Sequence, residues 1–282
     1  MVLCPKVGVK MKIDLHNHSK YSDGLFTPEE LIKIAIKEGV DCFALTDHDS
    51  VFGCDEIQEL SKKYNVNVIS GMELSTYYKG EPVHIVCLFK DNVVPQKLLE
   101  FSINKKNERT ERAIKMMTLI RDIYGVKIDL DALINESEII TRANMVYNLC
   151  NCNGITQSEA SKYVNNDSKA YIPSTKMPVD EGLKLAKEAG ALTILAHPCL
   201  LPREYVLEII DKGFEGIEVW YPYNKEGEAE FFMELAKKHN LLISAGSDFH
   251  GDQSPKHGII GTCTLNEEQF EPIRERLGYV WK

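Results

Sequence analysis

The sequence predicts an α/β fold, a mainly parallel sheet or barrel built from βα units and interrupted by a helical insertion. Three observations carry this prediction. Apolar, β-branched runs alternate with amphipathic helical patterns at both ends of the chain. Between about residues 95 and 175 the alternation stops and helical patterns follow one another without a convincing strand. It resumes at VDEGLKLAKEAGALTILAH, so the insertion interrupts one barrel and does not separate two independent domains. The barrel is thus drawn from residues 11–94 and 176–282, and the insertion from 95–175.

The strand candidates are MKIDLH, VDCFALTD, VNVISGMEL, VHIVCLF, ALTILAH, FEGIEVWY and LLISAGSD. Most are preceded by an amphipathic helix such as TPEELIKIAIKEG, which has Thr27 as cap, Pro28 at its first position and Gly39 at its end. VHIVCLF is the exception. It follows STYYKGEP, whose Lys79-Gly80 pair predicts a hairpin and therefore an antiparallel strand. The insertion reads as LLEFSINKKNERTERAIKMMTLIRDIYG, TRANMVYNLCNCNG and TQSEASKYVNN, with no internal repeat or low-complexity segment.

At 282 residues, 44% hydrophobic and 27% charged, the chain is long and apolar enough to bury a large core. Its net charge of −9 argues against a protein that coats duplex nucleic acid, but leaves room for a locally basic site. The charge is uneven: residues 95–175 carry eleven basic against ten acidic side chains, the remainder 22 against 32. The opening MVLCPKVGVK is too short and interrupted for a signal peptide, and no run approaches the ~18 apolar residues of a membrane span. A cytoplasmic protein without membrane association is expected. The eight cysteines form no CxxC pair and several lie in apolar runs, as reduced buried thiols do. Neither a disulfide framework nor a cysteine zinc site follows, and Cys150 and Cys152 are read as packing residues.

The chemistry begins at KIDLHNHSKYSDG. In an extended strand residues i and i+2 share a face, so His16 and His18 project together, as two ligands of a divalent metal or as a pair at a strand end. Other candidates decide between these readings, because they too fall near strand ends: Asp23 in the same loop, Asp47 and His48, Glu73, His84, His197, and Asp248 with His250. Strand ends converge in α/β barrels. Packing alone gives no reason to place six of eight histidines, with neighbouring carboxylates, in that layer, so a metal cluster is expected. His239, at a helix end, and His257, in SPKHG, fit capping or loop roles better.

The motifs HNHSKYSDG, LTDHDS, GMELS, VHIV, LAHP and GSDFHG, in that order over residues 11 to 265, resemble the PHP (polymerase and histidinol phosphatase) metallohydrolases. The insertion, with TRANM and YIPS, looks most like the branch that hydrolyses nucleoside 3′,5′-bisphosphates and trims short RNA from the 5′ end; a close branch hydrolyses a cyclic ribose phosphate. The resemblance implies a distorted (β/α)7 barrel with two to three divalent ions, Mn²⁺, Zn²⁺ or Fe²⁺. The first ion would be held by His16, His18, Glu73 and Asp248, the second by bridging Glu73 with His84 and His197, and the third by Asp23, His48 and His250. It also implies a catalytic centre of His16, His18, Glu73, His197 and Asp248. Asp23 stands where some members carry histidine, which leaves the affinity of the third site open.

Imidazole and carboxylate without thiolate suit these metals and leave positions for water and substrate. The implied function is metal-dependent hydrolysis of phosphate esters of small ribose phosphates, with small phosphorylated molecules or short RNA ends as partners. A metal-bound scaffold without catalysis would be marked by missing ligands, and all nine positions are filled. Asp47 is either an acceptor that orients an imidazole or a loop or cap residue. Glu218, in GIEVW, either binds metal or closes a salt bridge. Arg142 follows Thr141, a helix cap, and a cation in the first turn is unfavourable to the helix dipole. It either grips a substrate phosphate or is a surface arginine paired with an acid such as Glu138; Lys169 is a second phosphate candidate.

Overall fold

A computed structural model describes residues 11–136, 138–251, 254 and 256–281. The opening decapeptide and Cys4 lie outside the described residues. The seven strands are β1 (Ile13–Asp14), β2 (Cys42–Leu45), β3 (Asn67–Tyr78), β4 (Glu81–Leu88), β5 (Leu192–Leu195), β6 (Gly216–Trp220) and β7 (Leu242–Ala245), hydrogen-bonded in chain order. Beyond β1, the Leu15 N–H donates to the Ala245 carbonyl at 2.9 Å, and Asn17 forms a parallel bridge with Phe249, so the two edges meet and the sheet nearly closes. The first strand is shorter than its apolar run because from Leu15 onward the chain bonds to the segment around β7 and leaves the ladder with β2.

Pairing is parallel except at β4, which runs antiparallel to both β3 and β5. The hairpin signal explains this: Lys79 and Gly80 both have positive φ, 48° and 94°, as a two-residue turn matched to strand twist requires. Reversing β4 has a consequence for chemistry. The carboxyl ends of the parallel strands gather at one mouth, and in an antiparallel strand the amino end lies there instead. His84, near the start of β4 and paired with Ser75, is therefore at the mouth.

Alternate strand residues, among them Ile13, Leu15, Ala44, Ile69, Val86, Leu88, Ile194 and Ala245, fill the interior together with Phe270 and Ile273 of the C-terminal helix. The opposite faces pack under α1 (Pro28–Lys37), α2 (Cys54–Tyr64) and later helices, so strands such as CFAL and LTIL are buried throughout. α1 begins as its sequence predicts. The Thr27 hydroxyl accepts from the Glu30 N–H at 3.3 Å and Glu30 accepts from the Thr27 N–H at 2.8 Å, a capping box whose loss costs about 1 kcal/mol.

Between β4 and β5 lie α3 (Gln96–Tyr124), α4 (Leu130–Glu136), α5 (Arg142–Asn153) and α6 (Gln157–Val164), with no strand among the described residues. These helices have a core of their own around Met116, Met117, Ile120, Leu133, Met145 and Leu149. The chain returns by pairing with the far end of β3, where the Tyr77 N–H donates to the Met177 carbonyl at 2.8 Å, and enters α7 (Val179–Glu188). The helices α8 (Arg203–Ile209), α9 (Glu228–His239) and α10 (Glu267–Leu277) complete the α/β alternation. No described helix is long and apolar enough to cross a membrane.

Candidate metal centre at the barrel mouth

The mouth gathers all nine residues singled out as ligands. Glu73, on the long strand β3 and fully buried, is the hub: its two oxygens lie within 3.3 Å of a ring nitrogen on each of His16, His18, His48, His84 and His197. Asp248 Oδ1 stands 3.4 Å from His16 Nε2 and 3.0 Å from His18 Nε2. Asp23 lies 3.3 Å from His250 Nε2 and 3.9 Å from His48 Nε2. Two sets, His16–His18–Glu73–Asp248 and His18–Asp23–His48–His250, each place one donor atom per residue within 4.8 Å of one another.

Whether these residues fit a metal can be tested on their hydrogen bonds. His16 Nε2, both ring nitrogens of His18, Asp23 Oδ1, His48 Nδ1, Glu73 Oε2 and Asp248 Oδ1 are buried and lack a hydrogen-bond partner. Leaving so many buried polar atoms unsatisfied costs about 1–3 kcal/mol each. Their converging geometry and their nitrogen and oxygen chemistry fit divalent cations. Electrostatics agrees. Burial alone would raise Glu73 and Asp248, yet the surrounding imidazoles hold both carboxyls well below the ordinary range. Burial likewise opposes charge on His48 and His250, but the facing carboxylates push them up to about 9 and about 10. His84 goes the other way, because burial outweighs Glu73.

The backbone is strained here. His197 has φ 28° and Asp248 φ 49°, conformations that side-chain-bearing residues rarely adopt, and Asp49, whose N–H donates to the Glu73 carbonyl, has φ 51°. Close packing adds to the constraint: a Cβ on Gly246 would lie 2.1 Å from His16 Cβ, so only glycine lets the chain leaving β7 pass this close to His16.

The geometry decides between the readings offered for Asp47 and Arg142 and bears on those for His257 and Lys169. Asp47 orients no imidazole; its carboxylate accepts from Ser19 N–H, Ser19 Oγ and Ser22 Oγ, each at 2.7 Å, and so holds the loop that carries Asp23. His257, assigned by sequence to a loop role, does lie in a loop but stacks on His250 with ring centroids 4.1 Å apart and stands 3.8 Å from Asp248 Oδ2. Arg142 does not pair with Glu138, which bonds Lys106; it is exposed, donates to Asn166 Oδ1 at 3.0 Å and lines the cavity over the mouth. Lys169 is exposed and does not line that cavity; its backbone N–H donates to the Tyr124 hydroxyl. His239 sits at the end of α9, 2.6 Å from Asp211.

Sequence reasoning missed the cations of α3. Lys105, Arg109 and Arg112 fall at i, i+4 and i+7, one helical face, and line the same 320 Å³ cavity as His48, His84 and Arg142. Arg109 bonds the buried Asp49 and, at 3.3 Å, Ser75 Oγ; Arg112 donates to the Ile172 carbonyl at 2.8 Å. Burial, together with Arg142 and Arg109 nearby, lowers Arg112, evidence of crowded positive charge. The spacing in NKKNERTER was the available signal. A larger cavity of 730 Å³ lies across α3, but Glu56, Glu111 and Glu138 outnumber Lys20 and Lys106 there, which suits an anion poorly.

Comparison with known proteins decides the family. The model of the PHP domain matches residues 14–169, more than half of the chain. This protein belongs to the PHP domain family. A 5′-3′ exoribonuclease of Haemophilus influenzae is 28% identical over 249 residues, covering 85% of this chain and 90% of that protein. The 3′,5′-nucleoside bisphosphate phosphatase of Chromobacterium violaceum is 28% identical over 273 residues, 93% of each. A crystal structure from Bifidobacterium adolescentis, assigned to the metal-dependent phosphoesterases, superposes with a TM-score of 0.82 at 27% identity, covering 94% of this chain and 96% of that one.

Proposed function

We propose that this PHP protein is a metal-dependent phosphoesterase that hydrolyses phosphate esters of small ribose phosphates, nucleoside 3′,5′-bisphosphates or short 5′-phosphorylated oligonucleotides. The observation that carries the reading is a single cavity with two unlike walls: Asp23, His48 and His84, at the edge of the buried cluster of imidazoles and carboxylates with unsatisfied atoms, on one side, and Lys105, Arg109, Arg112 and Arg142 on the other. Relatives with the two named activities support the substrate class.

In this reading His16, His18, Glu73 and Asp248 hold one ion, Glu73 with His84 and His197 a second, and Asp23, His48 and His250 a third, with Mn²⁺, Zn²⁺ or Fe²⁺ as candidates. Bound divalent ions would supply Lewis-acid polarisation of phosphorus and a more acidic water. The rest falls to the chain. Residues 95–175 act as a substrate cap, closing on the mouth through Asn144, whose side chain reaches the Ser22 carbonyl at 3.5 Å. Arg142 and Arg112 hold the phosphate that is not cleaved, by charge-assisted hydrogen bonds, and so aim the other at the centre. Arg109, tied to Asp49, sets the height of α3 over the mouth.

The test is hydrolysis by protein stripped with chelator and reloaded with Mn²⁺, offered adenosine 3′,5′-bisphosphate, a 5′-phosphorylated trinucleotide and a cyclic ribose phosphate side by side. Phosphate release from the first or stepwise shortening of the second, lost on stripping and restored by metal, is the expected result. Turnover of the cyclic phosphate alone would move the protein to the diesterase branch, and no turnover of any phosphoester would leave a metal-bound scaffold.

A further inference from the structure

β6 supplies none of the nine ligands, yet Glu218 within it and Tyr221 just beyond its end touch them. Its pairing with β7 slips by one residue: Glu218 stands opposite Ser244 and Trp220 opposite Ala245, so Val219 is the extra residue of a β-bulge. In a regular strand residues three apart point to opposite faces. The bulge cancels one step, and Glu218 and Tyr221 both turn to the mouth, 1% and 2% exposed.

Each takes the far atom of a ligand and leaves the near one. Glu218 Oε1 lies 3.2 Å from His16 Nδ1, while Nε2 of the same ring faces Glu73 and Asp248 without a hydrogen bond. A carboxylate only accepts, so Nδ1 carries a hydrogen toward Glu218, and with a metal ion bound Nε2 would be the atom left to offer its lone pair. The Tyr221 hydroxyl donates to Asp248 Oδ2 at 2.9 Å, leaving Oδ1 toward His16 and His18. Glu218 Oε2 also accepts from the His197 N–H at 2.7 Å, pinning the backbone where its φ is 28°. Room for Glu218 comes from Gly246, where a Cβ would lie 2.6 Å from Oε1.

We infer that Glu218 and Tyr221 are positioning residues which, through the bulge at Val219, select the metal-facing atoms of His16 and Asp248 and thereby set the affinity of the site those two share. The inference rests on the metal assignment proposed above. Sequence offered metal binding or a salt bridge for Glu218; the structure pairs it with His16 at 3.2 Å, and holding that ring in one tautomer goes beyond the pairing and gives Tyr221 a counterpart role.

Mn²⁺ titration of stripped protein, for wild type, Glu218→Ala, Glu218→Gln and Tyr221→Phe, reads this without turnover. The expected result is a tightest site weakened about 10–100-fold in Glu218→Ala and by a smaller factor in Tyr221→Phe, as loss of a partner behind a ligand typically does. Glu218→Gln, whose single amide oxygen still accepts one hydrogen bond, should recover part of the loss. Nitrogen-15 spectra of the Zn²⁺-loaded protein should show His16 with Nδ1 protonated, a signature lost in Glu218→Ala. If Glu218→Ala does not fold, Tyr221→Phe, which deletes one hydroxyl, decides by itself. Wild-type affinity in folded Tyr221→Phe and Glu218→Ala would overturn the inference. Failure of the metal assignment looks different: wild-type protein would then bind no Mn²⁺, and both proposals would fall together.

Discussion

The barrel mouth and the helical insertion face each other across one cavity with their polar groups in opposite states. On the barrel side, donor atoms of His16, His18, Asp23, His48, Glu73 and Asp248 are buried and unpartnered. On the insertion side the four cations that line it each have an acceptor: Lys105 has Glu108, Arg109 has Asp49 and Ser75, Arg112 has the Ile172 carbonyl, and Arg142 has Asn166. Buried atoms without partners require a permanent companion, which suits resident metal ions. Arg112 and Arg142, bonded to neutral acceptors, can exchange them for a phosphate that comes and goes, whereas Arg109 stays with the buried Asp49. The division matches chemistry on one wall and recognition on the other.

Removing the hub should break the comparison most severely. Glu73→Ala takes away the carboxylate that contacts five imidazoles and is expected to reduce turnover about a thousandfold or more, some 4 kcal/mol of transition-state stabilisation, with metal lost by mass spectrometry on the same sample. His239→Ala, confined to an exposed contact with Asp211, should match wild type in both measurements. Full activity in metal-depleted Glu73→Ala would remove the cluster from the mechanism.

A smaller effect should sharpen the recognition side. Arg142→Ala is the clean variant, because the side-chain hydrogen bond of Arg142 goes to the neutral Asn166, whereas truncating Arg109 would strand the fully buried Asp49. The expected outcome is about a tenfold rise in KM for a bisphosphate, roughly 1.4 kcal/mol, with slow hydrolysis of an aryl phosphate unchanged. Equal losses on both substrates would show that Arg142 acts on the centre and not on a remote phosphate.

The smallest effect lies away from the cavity and tests that ordinary surface electrostatics stays separate from the mouth. Hydrogen bonds from Lys63 and Tyr64 bring Glu29 from 4.5 down to about 2, clasping α2 to α1. A carboxyl whose pKa is depressed on folding stabilises above its unfolded value, and that contribution fades as pH falls through the folded one. Glu29→Gln should therefore lower Tm slightly at pH 7, with the gap to wild type closing between pH 4.5 and 2 and with no change in activity; solvent keeps the effect small. A gap independent of pH would mean that packing, not charge, is what Glu29 contributes.

Much of the candidate site was legible because its residues sit at the ends of apolar runs. His16, His48, His197 and Asp248 follow strand patterns that a reader can mark, and barrel geometry brings such positions together whatever lies between them. Asp47 was harder to place: its neighbour His48 suggested an imidazole partner, while the structure gives it Ser19 and Ser22, 28 and 25 residues away. Arg109 and Arg112 were legible as a helical face but not as a wall of the cavity, because nothing local says which way a helix turns.

By itself the sequence determined the α/β alternation, the hairpin that reverses β4, the capped start of α1 and the family motifs, since each depends on residues within a turn or two of one another: periodicity, turn chemistry and short spacing. Only the tertiary structure decided that Glu73 stands at the centre of five imidazoles, that His257 stacks on His250, that α3 turns its arginines and not its Lys106 face toward the mouth, and that a one-residue bulge aims Glu218 and Tyr221 behind His16 and Asp248. These depend on side-chain directions and on distances between residues up to two hundred positions apart, and such distances are set when the sheet closes and the insertion packs over it, not by any stretch of chain alone.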